Sequence, residues 1–396
     1  MNVKFFAETI EDAAYDQVMA LANHPAFKDC KIRIMPDVHA GAGCVVGFTA
    51  DLGEKVIPNI VGVDIGCGML TFELGQIDID FEKLDNVIRT YVPNGREVHL
   101  KPIYDIKFLE RLYCYDYLKN IDWLLCSLGT LGGGNHFIEV DEDDCGNKFL
   151  VIHTGSRNLG KQVADYYQKV AIDNFSGVNE LQQLRQELIN SLKEQGREKE
   201  ISGALEELNE KFQLKNAEVS KELCYLEGED RINYLHDMQL CQDFAVANRF
   251  HIGYIIAKHM DWEVKDCFET IHNYIELGTN MVRKGAISAA AGQRVLIPMN
   301  MRDGCIIGIG KGNDDWNCSA PHGAGRLMSR KKAKELISME EYSFSMEGIY
   351  TTSVNELTVD EAPMAYKPAE EIERLVADTI DIERIIKPVY NFKSSN

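Results

Sequence analysis

The chain has 396 residues, 45% hydrophobic and 26% charged, with a net charge of −20, the balance of a globular protein with a sizeable core. That acidity argues against a protein that coats nucleic acid nonspecifically. No apolar run approaches the ~20 residues needed to span a membrane, and 11 cysteines without a CxxC pair argue against a disulfide framework and for a reducing cytoplasm.

The N-terminus turns acidic at once, so no signal peptide is expected. A short strand over Val3–Phe6 precedes an amphipathic helix within residues 1–30, whose apolar stripe is Ala14, Val18, Leu21 and Ala22. Alternating apolar residues from Ile32 then feed a Gly-rich turn (Ala40 to Gly43), with Asp37 and His39 on the same side of an extended chain. Cys44–Phe48 reads as the next strand.

Asp64 and Cys67 stand three apart in Val61–Phe72, where glycines forbid a helix and favour a tight turn. Such a turn brings a carboxylate and a thiolate together, as a metal site requires; a buried structural cysteine is the alternative. Residues 78–126 read as a helical scaffold. Three glycines (Gly132–Gly134) then place Asn135, His136 and Glu139 at a crowded backbone turn. The buried strand from Phe149 ends in His153 and, after Gly155, Arg157, and strand ends opening into such loops are where sheet proteins place reactive groups.

Lys161–Phe175 reads as a helix, residues 178–227 as a polar helical hairpin projecting from the body, and residues 231–259 as a further helix. His272 closes a strand that begins at Asp266. Val282–Ala286, Val295–Met299 and Cys305–Gly310 read as strands, with helices over Ser329–Ile337 and Ala369–Thr379. No internal repeat or low-complexity linker interrupts this order, which suggests one α+β domain over residues 1–396, its β-sheets flanked by helices, with the 178–227 hairpin as an insertion.

The richest stretch runs from Trp316 to Arg330. Pro321 stiffens the approach to His322, and Gly323 and Gly325 let the backbone come close to a ligand beside an imidazole. A helix starting after Gly325 would present Arg326 and Arg330 on one face. An imidazole flanked by forked donors and bare N–H groups suits phosphate chemistry. From Arg283 to Lys334 basic residues far outnumber Asp303, Asp314 and Asp315, a local anion site within an acidic chain. Asp64, Cys67, His136, His153 and His272 exceed one tetrahedral site and would suit two adjacent metals sharing a thiolate, with Zn²⁺ and Mn²⁺ both allowed by donor softness.

Taken in order, Met35-Pro36-Asp37-Val38-His39, Asp64-Ile65-Gly66-Cys67-Gly68, Gly133-Gly134-Asn135-His136-Phe137-Ile138-Glu139 and His153-Thr154-Gly155-Ser156-Arg157 resemble the RtcB family of RNA ligases. So do His272-Asn273, Arg283-Lys284-Gly285-Ala286, His322-Gly323-Ala324-Gly325-Arg326 with Ser329-Arg330, and Lys393. The resemblance implies an RtcB-like fold and GTP- and Mn²⁺-dependent joining of an RNA 3′-phosphate or 2′,3′-cyclic phosphate to a 5′-hydroxyl, in RNA repair or tRNA splicing.

It further implies that His322 is the nucleophile that becomes guanylylated, and that Asp64, Cys67, His136, His153 and His272 bind two Mn²⁺ ions with Cys67 bridging. Asn135, Glu139, Gly323, Ala324, Gly325, Arg326, Tyr366 and Lys393 would hold the GTP beside His322, Lys393 on the guanine with Tyr366 stacked against it. Asp37, Arg157, Lys284, Arg326 and Arg330 would surround the phosphates and the RNA end. An archease-like activator is a candidate partner. The sequence departs from the family pattern at Met299-Asn300-Met301-Arg302, at Ala42-Gly43-Cys44 and at Tyr274, changes that bear on the guanine pocket and on strictness for GTP and mark a divergent member. A metal-dependent phosphodiesterase or phosphatase, with His322 as general acid, and a noncatalytic protein that binds RNA ends are the competing readings.

Overall fold

The computed structural model describes residues 2–41, 43–103, 105–212 and 219–394. The strands in chain order begin with β1 (Asn2–Phe5), β2 (Lys31–His39), β3 (Val46–Asp51), β4 (Gly68–Gly75), β5 (Phe137–Glu142) and β6 (Lys148–Thr154). They continue with β7 (Asp266–Ile271), β8 (Asn273–Glu276), β9 (Met281–Lys284), β10 (Ala286–Ser288) and β11 (Arg294–Asn300). Then come β12 (Gly304–Gly310), β13 (Ser319–Pro321), β14 (Tyr350–Thr351) and β15 (Ile380–Lys393).

One sheet has the order β1-β2-β3-β9-β8, a ribbon pairs β10 with β13, and the largest sheet runs β11-β12-β15-β5-β6-β4-β7, with β14 on β15. Its two edges approach each other: Arg294 of β11 donates to Glu73 at 2.6 Å and to Asp266 of β7 at 3.0 Å. The sheet is therefore nearly closed, and the fold is the mixed helix-and-sheet class expected of an RtcB-like single large domain.

The helix Gly228–Met260 joins the two halves. Its buried residues are not confined to one stripe, the pattern of a helix enclosed on several sides. Tyr234, Met238, Cys241 and Phe244 belong to the core beneath the first sheet, with Val18, Phe27, Phe48 and Ile65. Further along, Ile252, Ile256 and Met260 pack on Leu70, Ile138, Leu150 and Ile152 of the large sheet. One helix thus fixes where the two sheets sit relative to each other.

Several expected boundaries move. The first helix is Asp12–Ala22, and β3 begins at Val46, two residues after Cys44. Residues 78–126 hold less α-helix than their periodicity predicts: Phe81–Tyr91 and Ile121–Cys126 are α-helical, with 3₁₀ turns at Ile106–Arg111 and Tyr115–Tyr117 between them. Pro93 and Gly95, and Pro102 further on, deny the intervening backbone a helical ladder. Within 178–227 the helices are Val178–Glu194 and Ile201–Lys211, while residues 213–218 lie outside the described residues, as does Ala42 of the expected turn.

Truncating Ile252, fully buried between helix and sheet, to alanine should cost about 2–5 kcal/mol. Ile232→Ala on the exposed face of the same helix should stay within about 0.5 kcal/mol. Urea unfolding of the two variants checks this, and equal losses would remove the helix from its joining role.

Candidate active site

Strand register assembles the expected ligands. Phe137 of β5 lies opposite His153 of β6, Thr154 lies opposite Gly68 of β4, and Gly68 lies opposite Ile271 of β7. His136, His153, Cys67 and His272 therefore stand in a row at one end of four adjacent strands, where neighbours are about 4.8 Å apart. The Cys67 sulfur lies 3.6 Å from His136 Nε2 and 3.3 Å from His153 Nε2. His153 Nε2 is 3.4 Å from His272 Nε2, and His136 Nε2 is 3.1 Å from Asp64 Oδ2.

Two groups of donor atoms result, Asp64–Cys67–His136 and Cys67–His153–His272, with Cys67 common to both. Two of the three Nδ1 atoms face carbonyls, His136 toward Leu131 at 2.9 Å and His153 toward Asn135 at 3.1 Å, while the His272 Nδ1 is buried without a hydrogen-bond partner among the described residues. An Nδ1–H donated there leaves each Nε2 lone pair for a cation, the arrangement that orients metal-binding imidazoles. Burial pushes His153 and His272 well below the ordinary histidine range, so both are neutral near pH 7, as ligands must be. Burial raises the Cys67 thiol, and Asp64 raises it further. Burial also works to raise Asp64, but its hydrogen bond and charge interaction with His136 outweigh this and hold it low. Thiol, imidazole and carboxylate donors converging at this range fit divalent metal, which would displace the Cys67 proton on binding. A side chain at Gly155 would displace the Asp64 carboxylate from the row, because its Cβ would lie 2.2 Å from Oδ1.

His322 follows β13, whose Pro321 pairs with Ala286 of β10. Its ring centroid is 4.9 Å from that of His272. Its Nδ1 donates to Asp37 Oδ2 at 2.6 Å, and its backbone N–H donates to the same oxygen at 3.1 Å. Asp37 is fully buried on β2, so its carboxylate holds the Nδ1 side of the ring and leaves Nε2 as the nitrogen free to react. Gly325, at φ +76°, passes close enough to Asp37 that a Cβ would lie 2.6 Å from its carbonyl oxygen.

His322, Asn135, Glu139, Gly323, Ala324, Gly325, Arg326, Arg330, Tyr366 and Lys393 line one cavity, together with His39, Phe137 and Met299–Met301. Arg326 and Arg330 do not share a helix face, since the helix begins only at Arg330. Asp360 and Glu361 bring them together: Arg330 pairs with both carboxylates, at 2.7 and 2.5 Å, and Arg326 with Glu361 at 3.4 Å. Glu361 also accepts from Lys393 Nζ and from the Tyr366 hydroxyl, each at 2.7 Å. Burial pushes Glu361 up, but Lys393 and Arg330 outweigh it and lower it to about 2. Sequence reasoning missed this anchor, whose one local signal is an acidic pair shortly before Tyr366.

Two expected residues lie elsewhere. Arg157 lines a second cleft with Asp64, His136, Arg96 and Lys161, its guanidinium on Gly95 O and Thr130 Oγ1, each at 2.9 Å. Lys284 is buried on β9 with its ammonium 3.0 Å from Asn59 O. Neither lines the cavity of His322.

Glu139 is not in the turn but inside β5, where Asp141 shares its face. These carboxylates form a buried group with Cys305 of β12 that the sequence reading had not anticipated. Burial pushes Glu139 up to about 7, and burial and Glu139 together push Asp141 well up. Between the ordinary value of 4.5 and about 7 the folded state holds more protons than the unfolded one, so this contribution to stability falls as pH rises. Glu139→Gln should therefore gain on the wild type between pH ~5 and ~8 in urea midpoint; a constant difference would contradict a protonated Glu139.

A family model described as tRNA-splicing ligase RtcB matches residues 17–111 and 119–394. RNA-splicing ligase RtcB1 of Escherichia coli is 31% identical over 421 residues, covering 96% of this chain and 94% of its own. RNA-splicing ligase RtcB of Escherichia coli K12 is likewise 31% identical over the same shares. The tRNA-splicing ligase RtcB of Aeropyrum pernix is 27% identical, over 89% of this chain and 85% of its own. Matched over nearly its whole length, with the ordered motifs gathered at one site, the chain belongs to the RtcB family.

Proposed function

We propose that this protein is a GTP- and Mn²⁺-dependent RNA ligase that joins a 3′-phosphate or 2′,3′-cyclic phosphate end to a 5′-hydroxyl through a guanylylated His322. The observation that carries this reading is the buried Asp37 carboxylate on His322 Nδ1, which leaves Nε2 as a nucleophile beside the ligand row and at the mouth of a guanidinium-lined cavity.

In this reading Nε2 attacks the α-phosphorus of GTP, and the bond to the bridging oxygen breaks, releasing pyrophosphate. The guanylate then passes from His322 to the RNA 3′-phosphate, restoring the imidazole. The 5′-hydroxyl attacks that activated phosphorus, and GMP leaves. Asp64, Cys67, His136, His153 and His272 would hold two Mn²⁺ ions, which supply positive charge to the α-phosphate oxygens. Arg326 and Arg330 orient phosphate oxygens through their forked donors, and Asn135, Glu139, Tyr366 and Lys393 hold the nucleotide. Arg157 serves the RNA end from the second cleft, and Lys284, next to Gly285 whose backbone passes the His322 ring, serves the phosphates.

The same reading makes residues 1–396 one catalytic domain with 178–227 as its insertion, acting in a reducing cytoplasm on RNA ends, with an archease-like activator as candidate partner. The Asp37 hydrogen bond serves His322 equally as nucleophile or as general acid, so a covalent guanylate is what separates this reading from a phosphodiesterase or phosphatase.

Incubation with α-labelled GTP and Mn²⁺ should leave acid-labile, base-stable label on the protein. His322→Ala should abolish it, and Asp37→Asn should reduce it by about 10²–10⁴-fold, as expected when an imidazole loses its orienting carboxylate. Absence of label with every divalent metal tried would sink the proposal. Phosphate release without covalent guanylate would favour the hydrolase.

A further inference from the structure

The helix Gly228–Met260 carries no ligand of the row, yet two of its residues reach the segments that do. Asn248 and Arg249 are both fully buried. The Asn248 Oδ1 accepts the N–H groups of Gly129 and Thr130 at 2.7 and 3.0 Å. Its Nδ2 donates to the carbonyls of Thr130 and Gly155, each at 3.1 Å. Arg249 Nη1 donates to Gly66 O at 2.9 Å and to Thr154 O at 2.8 Å, while Nε pairs with Glu269 at 2.8 Å.

Each contact falls one to three residues from a ligand or its support. Gly66 precedes Cys67, Thr154 follows His153, and Glu269 lies on the strand that delivers His272. The turn at Gly129–Thr130 adjoins Leu131, whose carbonyl faces His136 Nδ1. A guanidinium and an amide on consecutive residues therefore tie together the separate segments of the row. Those backbone groups are buried, and leaving them without partners is costly.

We propose that Asn248 and Arg249 are positioning residues that set the affinity and geometry of the metal centre without touching it. The inference rests on the reading of the row as a metal centre. The planar fork of Arg249 is needed because one carbonyl pair and one carboxylate must be met at fixed angles, which a lysine ammonium cannot do. Partners that orient ligands in this way typically govern metal affinity by 10- to 100-fold.

The test uses the full chain stripped of metal and titrated with Mn²⁺ by calorimetry and with Co²⁺ by visible absorption, which reports thiolate geometry at Cys67. Arg249→Lys and Asn248→Ser are compared with wild type, with circular dichroism and the metal-free thermal midpoint as folding controls. Ile252→Val on the same helix serves as a variant that lowers the midpoint but should leave the metal alone. The expected result is an affinity lower by about 10- to 100-fold and an altered Co²⁺ band in both positioning variants, with Ile252→Val unchanged in both. Wild-type affinity and spectrum in the two variants would overturn the proposal. So would failure of both to fold, or an equal loss in Ile252→Val, because the pair would then serve the fold alone. A wild-type protein that binds neither ion would overturn the metal-centre reading and this inference with it.

Discussion

The site depends on the register of four neighbouring strands. β4 lies between β6 and β7, and β5 flanks β6, so the Cys67 sulfur meets His153 Nε2 on one side while its backbone carbonyl accepts from His272 on the other. Shifting any one strand by one residue would turn its side chains to the other face and remove a member from the row. Ladder hydrogen bonds over the length of β4, β6 and β7 hold that register. The long helix then adds side-chain bonds to the loops at its end. A cluster of convergent donor atoms from four strands keeps its geometry only on such a rigid frame.

The imidazole of His322 is held by different means. His322 hangs from a short ribbon, β10 with β13, and the carboxylate that orients it comes from β2 of the other sheet. The ribbon must therefore keep its place against the first sheet for Asp37 to reach His322. Met35 of β2, packed with Ala286 of β10 and with Trp316, supplies that constraint, while the helix Gly228–Met260 braces the first sheet against the large one.

Charge in the cavity follows the same economy. Glu361 collects Lys393, Tyr366, Arg330 and Arg326 around one buried carboxylate. Cations that would otherwise repel are preorganised around Glu361 and the adjoining Asp360. Deeper in the nearly closed sheet, Glu139 and Asp141 sit side by side with Cys305. Their raised proton affinity spares the barrel two uncompensated charges.

Much of this was legible in the residues. The Asp64–Cys67 turn, the strand ends at His153 and His272 and the Pro321–Gly325 setting of His322 are local features, and glycine, proline and alternating apolar patterns report local backbone directly. The ordered motifs pointed to the family and its fold class for the same reason. What the sequence could not determine was which separate segments meet, since contacts such as Arg330 with Glu361 or Arg249 with Gly66 span many residues and leave no local periodicity. The assumed helix joining Arg326 to Arg330 failed on that ground, as did the helical reading of residues 78–126, where packing and prolines overrode period. Chain-local chemistry picked out the side chains of the row and His322; only the tertiary structure decided how they are paired, oriented and held, because register, burial and long-range hydrogen bonds exist only once the chain has folded.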